Sequence, residues 1–294
     1  MEKVLILGAT GMLGSACFQV LKLRSDLEVV GTSRRPDLNL VEFDADQDQI
    51  SDLLNRVRPN WVINCTGLIK HFINENDTNS ISAAATINSD FPKILAECAF
   101  SVNARVLQIA TDCVYSGNFG PYDESRNHDA VDVYGKSKSL GEVNAKNLMI
   151  LRCSVIGREI NSHVEFMDWI LCQPNNEKLN GFSNHLWNGL TTLHFAKICL
   201  GIISTGTFKS GTHHVLPSDS LNKFEMMDMV RKSFDREDIQ IEEVLAEIAI
   251  DRRLSTKFPE VNRDLWLNAG YDRPLSINEM ITEYSNWVRT GKNV

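Results

Sequence analysis

Two side chains in the segment YGKSKSLGE, residues 134 to 142, have the types and spacing for proton transfer. Tyr134 and Lys138 are four residues apart, which on a helix places them on one face. Tyrosine alone is a weak acid, with a reference pKa of ~10. A neighbouring ammonium favours the phenolate and lowers that value. Such a tyrosine can give a proton to a carbonyl oxygen. Gly135, Ser137 and Ser139 are small and leave room for a ligand. Tyrosine and lysine at this spacing also recur on ordinary helix surfaces, so the pair gains meaning only from its company. Upstream, IATDCVYSG (109 to 117) is an apolar run ending in Thr111, Asp112 and Cys113. A hydroxyl at that strand end can bond the same oxygen that Tyr134 protonates; alone, Thr111 would read as a turn residue.

The elements around these residues alternate. Short apolar strands are expected at 3 to 7, 28 to 32, 40 to 43, 61 to 67, 104 to 112 and 148 to 157. Helices are expected at 12 to 23, 46 to 57, 80 to 100 and from Tyr134 to about Lys146. This rhythm predicts an α/β protein, a Rossmann-type doubly wound parallel sheet covered on both faces. After Gly157 the rhythm loosens. Helices are expected at 164 to 171, 191 to 203, 222 to 234 and 277 to 288, and a strand at HHVLP (213 to 217). The reading is a nucleotide-binding unit over 1 to 157 and a smaller C-terminal substrate lobe over 158 to 294, with pieces such as HHVLP returning to the sheet.

The first strand runs into VLILGATGMLG (4 to 14). Gly8 allows the tight turn, Gly11 lets backbone approach a pyrophosphate, and Gly14 allows helix to pack on strand, with Met12 and Leu13 opening a helix whose N-terminus faces negative charge. The context of strand, glycines and helix at the head of an alternating pattern points to a dinucleotide. The second strand ends in Ser33, Arg34 and Arg35, where a carboxylate would select NAD; arginine suits a 2′-phosphate, so NADP(H) is the expected cofactor. The alternative is that both arginines are surface residues. Asp44 could bond the adenine amine or cap the following helix.

The chain resembles the extended short-chain dehydrogenase/reductases, and within them the dTDP-4-dehydrorhamnose reductase group. The resemblance rests on GATGMLG, RPNWVINCTG, INSDFPKILAECA, TDCVYSG, VYGKSKSLGE and LRCSVIG, in order over residues 4 to 157. It implies Thr111, Tyr134 and Lys138 as a catalytic triad, with Lys138 also holding the nicotinamide ribose. It implies reduction by NADPH of the C4 ketone of a 4-keto-6-deoxy nucleotide sugar. Asn64, Cys65, Thr66 and Gly67 stand where the group has an NAA-like segment lining the cofactor, and Asn88 is given a structural or cofactor-side role. Cys113 could face the sugar and move a proton, or be a small buried hydrophobe.

A nucleotide sugar needs a surface for its base, donors for its diphosphate and polar groups for its sugar. Candidates in the second half are Arg158, Asn161 and His163, then Asn184, His185, Trp187 and Asn188 in NGFSNHLWNGLTT. Trp187 could stack on a base or sugar, or hold the loop by packing. Relatives place an arginine and a serine near the substrate where this chain has Arg252, Arg253 and Ser255, without the usual proline; arginine forks suit diphosphate, and the choice between the two stays open. Alternatives are a nucleotide-sugar epimerase of the same fold, and a non-catalytic NADP-binding regulatory protein.

The 294 residues are 43% hydrophobic and carry a formal charge of -8. That size supports a large core, and that charge disfavours a phosphate backbone, so no nucleic-acid partner is expected. VLILG is too short for a secretory segment or membrane span. Seven cysteines, none spaced C-x-x-C, read as reduced thiols mostly in the core of a cytoplasmic protein. No metal site is expected. A homodimer is compatible with the resemblance.

Overall fold

The computed structural model describes residues 1–35, 39–160 and 162–291. Its centre is a parallel sheet of seven strands. Six of them are β1 (Glu2–Leu7), β2 (Leu27–Ser33), β3 (Val41–Glu42), β4 (Trp61–Asn64), β5 (Arg105–Ala110) and β6 (Leu148–Arg152). The seventh, Gly211–His214, pairs in parallel with β6 and brings the C-terminal half back to the sheet. The order is Gly211–His214, β6, β5, β4, β1, β2, β3.

Side-chain alternation explains why both faces are apolar. Val4 and Ile6 join one core cluster, with Ile63, Leu107 and Leu151 from neighbouring strands. Leu5 and Leu7 join a second, with Val62, Val106 and Ile150. On the first face lie the helices α1 (Met12–Lys22) and, from the C-terminal half, Thr192–Thr205. On the second lie α2 (Ile50–Val57), through Ile50, Leu53 and Leu54, and the helix Phe91–Ser101, through Phe91 and Leu95. Each fully buried Leu or Ile contributes roughly 1.5–3 kcal/mol. The order reverses between β1 and β4, so the crevice at their carboxyl ends opens there.

Several expected elements differ in detail. The region expected as one helix over 80 to 100 is α3 (Thr78–Ala85), a π turn (Thr86–Asp90) and α4 (Phe91–Ser101). The Tyr134 helix is α5 (Val133–Leu140), ending well before Lys146. It stops because Gly141 lies against Asn88, where an added Cβ would sit 2.0 Å from the Asn88 carbonyl oxygen, and Glu142 turns away to pair with Arg152. The run 148 to 157 is β6 plus a separate strand, Val155–Ile156, which pairs with Leu190–Thr191.

The remaining helices are α6 (Phe166–Leu171), α7 (Thr192–Thr205), α8 (Lys223–Ser233), α9 (Pro259–Asn268) and α10 (Ile277–Arg289). Two small sheets accompany them. Lys178–Phe182 pairs with Gln240–Val244, and His185–Trp187 lies between Leu221–Asn222 and Ile250–Asp251. Among the described residues no helix is long and apolar enough to cross a membrane.

Candidate active site

A cleft of about 610 Å³ runs across the carboxyl ends of the strands. At one end is the glycine turn after β1. Gly8 has φ +76°, a conformation that disfavours side chains. Gly14 packs so tightly that an added Cβ would lie 2.1 Å from the Gly8 carbonyl oxygen. Gly11 is the N-cap of α1, and the first turn of that helix has neither a side-chain cap nor an acidic residue. Its N-terminus therefore presents backbone N–H groups for an anion. Gly8, Gly11, Met12 and Leu13 line the cleft, and Gly14 supports it from behind.

Ser33 and Arg34 line the same end. Ser33 is buried and its hydroxyl accepts from the Arg35 amide at 3.2 Å; Arg35 is exposed and does not line the cleft. Asp44 is on the lining, but it does not cap α2, whose N-cap is Gln49. Its carboxylate instead accepts from the Asp46 amide at 3.0 Å.

The loop after β4 forms the middle of the cleft, with Cys65, Thr66 and Gly67 on the lining. Asn64 is fully buried, and its Oδ1 accepts from both the amide (3.1 Å) and the hydroxyl (2.7 Å) of Thr66. Asn88, in the π turn, clasps the next residue: Oδ1 accepts from the Leu68 amide at 2.9 Å, and Nδ2 donates to the Leu68 carbonyl at 2.9 Å and to Ser137 Oγ at 3.0 Å. The cofactor-side loop and the Tyr134 helix are thereby tied to one side chain. The Cys65 thiol is pushed up by contact with Cys17 and by burial.

Thr111, Tyr134 and Lys138 all line this cleft. The helix that carries the last two starts at Asp132, whose side chain accepts from the Gly135 amide at 2.7 Å and also pairs with Lys70. Gly135 is required by contact: an added Cβ would lie 2.3 Å from the Cys113 carbonyl oxygen. The Thr111 hydroxyl accepts from the Cys113 amide at 3.1 Å and donates to Asp112 at 3.3 Å. Lys138 Nζ reaches the Ile109 carbonyl at 3.4 Å, and burial lowers its pKa.

The expected lowering of the Tyr134 pKa is corrected. Burial, aided by the electrostatics of Cys113, raises it, and the Thr111 hydrogen bond only partly opposes this. Tyr134 therefore rests as a neutral phenol, the form that can donate. Cys113 lines the cleft, but burial and Asp112 push its thiol up to about 12, so it is not a thiolate at neutral pH.

The substrate-side candidates separate. Arg252 points at the cleft region: its Nε donates to the Tyr115 carbonyl at 3.1 Å and its Nη1 stands 4.0 Å from Cys113 Sγ. Arg253 turns away into a bidentate pair with Asp251 at 2.9 and 2.7 Å. Trp187 is 4% exposed and belongs to the core, so it offers no stacking face. Asn184 and Asn188 are clasps, each exchanging two hydrogen bonds with the backbone of Ala246 and Leu254, on either side of Arg252. Asn161 lies outside the described residues. Arg158 and His163 both face the buried Asp168.

Against known proteins, residues 1–253 match the family model described as the RmlD substrate binding domain. The chain belongs to this family. It is the RmlD-like branch of the extended short-chain dehydrogenase/reductases. The chain is 28% identical over 225 residues to a dTDP-4-dehydrorhamnose reductase of Aggregatibacter actinomycetemcomitans, covering 73% of each chain. It is 26% identical over 250 residues to methionine adenosyltransferase 2 subunit beta of Bos taurus, covering 80% of this chain and 72% of that one. A Bacillus anthracis dTDP-4-dehydrorhamnose reductase, solved in complex with NADP, superimposes with a TM-score of 0.77 at 20% identity over 98% of this chain and 99% of that one. That likeness shows the fold.

Three features of this RmlD-family chain escaped the sequence reading. Lys223 stands at the start of α8, electrostatically close to Asp112, Cys113, Arg252 and Glu165. Glu165 lines the cleft and burial raises its pKa. No local signal marks either one. The third is a grouping of His163, Asp168 and Cys172, whose ligand-type atoms lie within 4.8 Å of one another. Its carboxylate, Asp168, is already held by the Arg158 guanidinium and the Glu159 amide, so a metal ion would have to displace a cation. The seven thiols are all free; Cys17, Cys153 and Cys199 lie in the core, Cys65 and Cys98 pack against it, Cys113 is half-buried in the cleft, and Cys172 is exposed.

Proposed function

We propose that this protein is an NADP(H)-dependent reductase of a ketone on a nucleotide-activated sugar, with a 4-keto-6-deoxy hexose as the substrate. The single observation that carries this reading is convergence: Thr111, Tyr134 and Lys138 line one cleft with the Gly8–Gly11 turn and Arg34. The donor set fits a dinucleotide. The open N-terminus of α1 suits its pyrophosphate, Arg34 a 2′-phosphate, and Lys138, whose Nζ would lie 3.9 Å from a Cβ at Gly67, a ribose hydroxyl. When bound, the nicotinamide supplies the hydride.

The protein's own part is to manage the carbonyl oxygen. Tyr134 stays protonated until negative charge develops there, then gives up its proton. Thr111 offers a second donor once its hydroxyl turns from Asp112. Lys138 compensates the phenolate that remains. The test is NADPH consumption with a panel of 4-keto-6-deoxy nucleotide sugars, followed by product analysis.

A second reading is a regulatory NADP-binding subunit, favoured by the similarity to methionine adenosyltransferase 2 subunit beta. Tight NADPH binding without consumption on any keto sugar would select it.

A further inference from the structure

Arg152 is the last residue of β6, is 3% exposed, and spends every donor it has. A guanidinium carries five N–H groups and no acceptor. Nε donates to Glu142 at 3.0 Å, and Nη2 to the other oxygen of the same carboxylate. Nη1 donates to the Tyr115 hydroxyl at 2.9 Å. The remaining two N–H groups point at imidazole nitrogens: Nη1 at His214 Nε2, 2.7 Å away, and Nη2 at His128 Nε2, 2.9 Å away. Both of these nitrogens must accept, so each ring bears its proton on Nδ1. The partners there agree. His214 Nδ1 donates to the Ser255 carbonyl at 2.6 Å, and His128 Nδ1 to the Ser139 hydroxyl at 2.6 Å. Both histidines are thus neutral and of fixed tautomer.

Through these bonds one buried cation reaches the helix that carries Tyr134. α5 has eight residues, too few to hold its shape alone. Asp132 and Asn88 fasten its front half. Its far end is fastened by Ser139 to His128 and by Glu142, just past the helix, to Arg152. His128 is where a proton can enter: its side chain is 23% exposed, whereas that of His214 is 0% exposed. A second proton on the His128 ring would set its Nε2–H against the Arg152 N–H, with two cations in contact. Glu142 stands 4.0 Å from that nitrogen, but Arg152 already holds it. The Tyr115 ring meets the imidazole edge-on at 5.4 Å and adds no charge. Burial, helped by Arg152, lowers the His128 pKa against the pull of Glu142 and Asp129. Burial and Arg152 take His214 to about 4, against Glu124 and Glu142.

We infer that His128 is a positioning residue for Tyr134: as a neutral imidazole it ties α5 to Arg152, and its protonation frees the far end of the helix. The geometry of the site is therefore sensitive to acid. The fold favours the neutral ring, so the tie is complete above the ordinary histidine value of 6.5 and is lost as pH falls through the lowered His128 value. The tie does not depend on what Tyr134 reacts with. Only its effect on rate rests on the proposed reduction.

The experiment is an NMR pH titration of the full chain carrying nitrogen-labelled histidine and tyrosine labelled at the ring carbon that bears the hydroxyl. His128→Gln and Tyr134→Phe assign the two resonances. His128 and His214 should both be neutral Nδ1–H imidazoles at neutral pH. The Tyr134 resonance should shift in acid with the His128 midpoint. Asp112 and Glu165 also act on Tyr134; their part of the shift should survive in His128→Gln, and the part with the His128 midpoint should vanish. Ser139→Ala leaves His128 to titrate and cuts its bond to α5, so it should reduce that part as well. Thermal unfolding at neutral pH is the control for folding, and if His128→Gln fails it, Ser139→Ala is read alone. An Nε2–H tautomer or an imidazolium at His128 at neutral pH, no Tyr134 shift at the His128 midpoint in the parent, or a shift that persists unchanged in the variants overturns the inference. Under the proposed reaction, kcat with a keto sugar should fall about tenfold in His128→Gln, and the variant should lose rate less steeply in acid than the parent does. Absence of turnover in the parent would remove that reaction and leave the NMR result standing.

Discussion

Replacing Asn88 by alanine should loosen the site without touching any reacting atom. Asn88 is 2% exposed and makes three hydrogen bonds, two to Leu68 and one to Ser137. Ser137 in turn donates to the Tyr134 carbonyl at 2.9 Å. Alanine leaves the Leu68 amide and carbonyl without partners. An unsatisfied buried group costs about 1–3 kcal/mol. Leu68 is only partly buried, so water recovers some of this, and a total loss of about 1–3 kcal/mol is expected. At ~2–4 °C per kcal/mol, the melting temperature should fall by roughly 2–12 °C. The loop bearing Gly67 would no longer be held to α5, so KM for NADPH should rise as kcat falls. Asn88→Asp should be at least as damaging near neutral pH, because it turns a carboxylate oxygen toward the Leu68 carbonyl. The assays are thermal unfolding by circular dichroism and steady-state kinetics. An Asn88→Ala variant melting within about 1 °C of the parent, with unchanged KM for NADPH, would refute this account of how the cleft is held.

The Arg34→Ala/Arg35→Ala double variant should weaken NADPH much more than NADH in a fluorescence titration, and Arg34, which lines the cleft, should account for most of the effect. Arg252→Ala should raise KM for the nucleotide sugar, whereas Arg253→Ala, which only frees Asp251, should change it little; equal effects in steady-state kinetics would contradict that division. Burial acts to raise the Glu283 pKa, but hydrogen bonds from His194 and Lys197 outweigh it and hold the carboxyl at about 2. Its folded pKa lies below the usual 4.5, so it contributes stability above that value that is lost as pH falls toward 2. Glu283→Gln should therefore lose stability at neutral pH and show a shallower acid-unfolding profile between those limits.

Much of the fold is written in short-range pattern. Val4, Leu5, Ile6 and Leu7 are all fully buried because the sheet is covered on both faces, and an unbroken apolar run reports that directly. The π turn at Thr86–Asp90 is invisible in the pattern because it interrupts the helix without a proline or glycine of its own. Helix α9 was missed although Pro259 stands at its start; its buried face includes Asn262, a polar residue held by the Leu216 backbone. That the glycine turn and Thr111, Tyr134 and Lys138 would line one cleft was legible from spacing and resemblance. What could not be read was any choice made by distant contacts. Arg252 and Arg253 are adjacent letters, separated only because Asp251 captures one of them. Trp187 sits among polar letters yet packs in the core. Lys223 gains its meaning from Asp112 and Cys113, far away in the chain.

The central claim is that Tyr134 is the proton donor to a ketone in this cleft. Single-turnover oxidation of NADPH by a 4-keto-6-deoxy nucleotide sugar tests it most directly, comparing the parent with Tyr134→Phe and measuring NADPH affinity separately. Phenylalanine keeps the ring and removes the proton, so NADPH should bind as before and the rate should fall by about 10² or more. A Tyr134→Phe protein that reduces the sugar at nearly the parent rate would contradict the account.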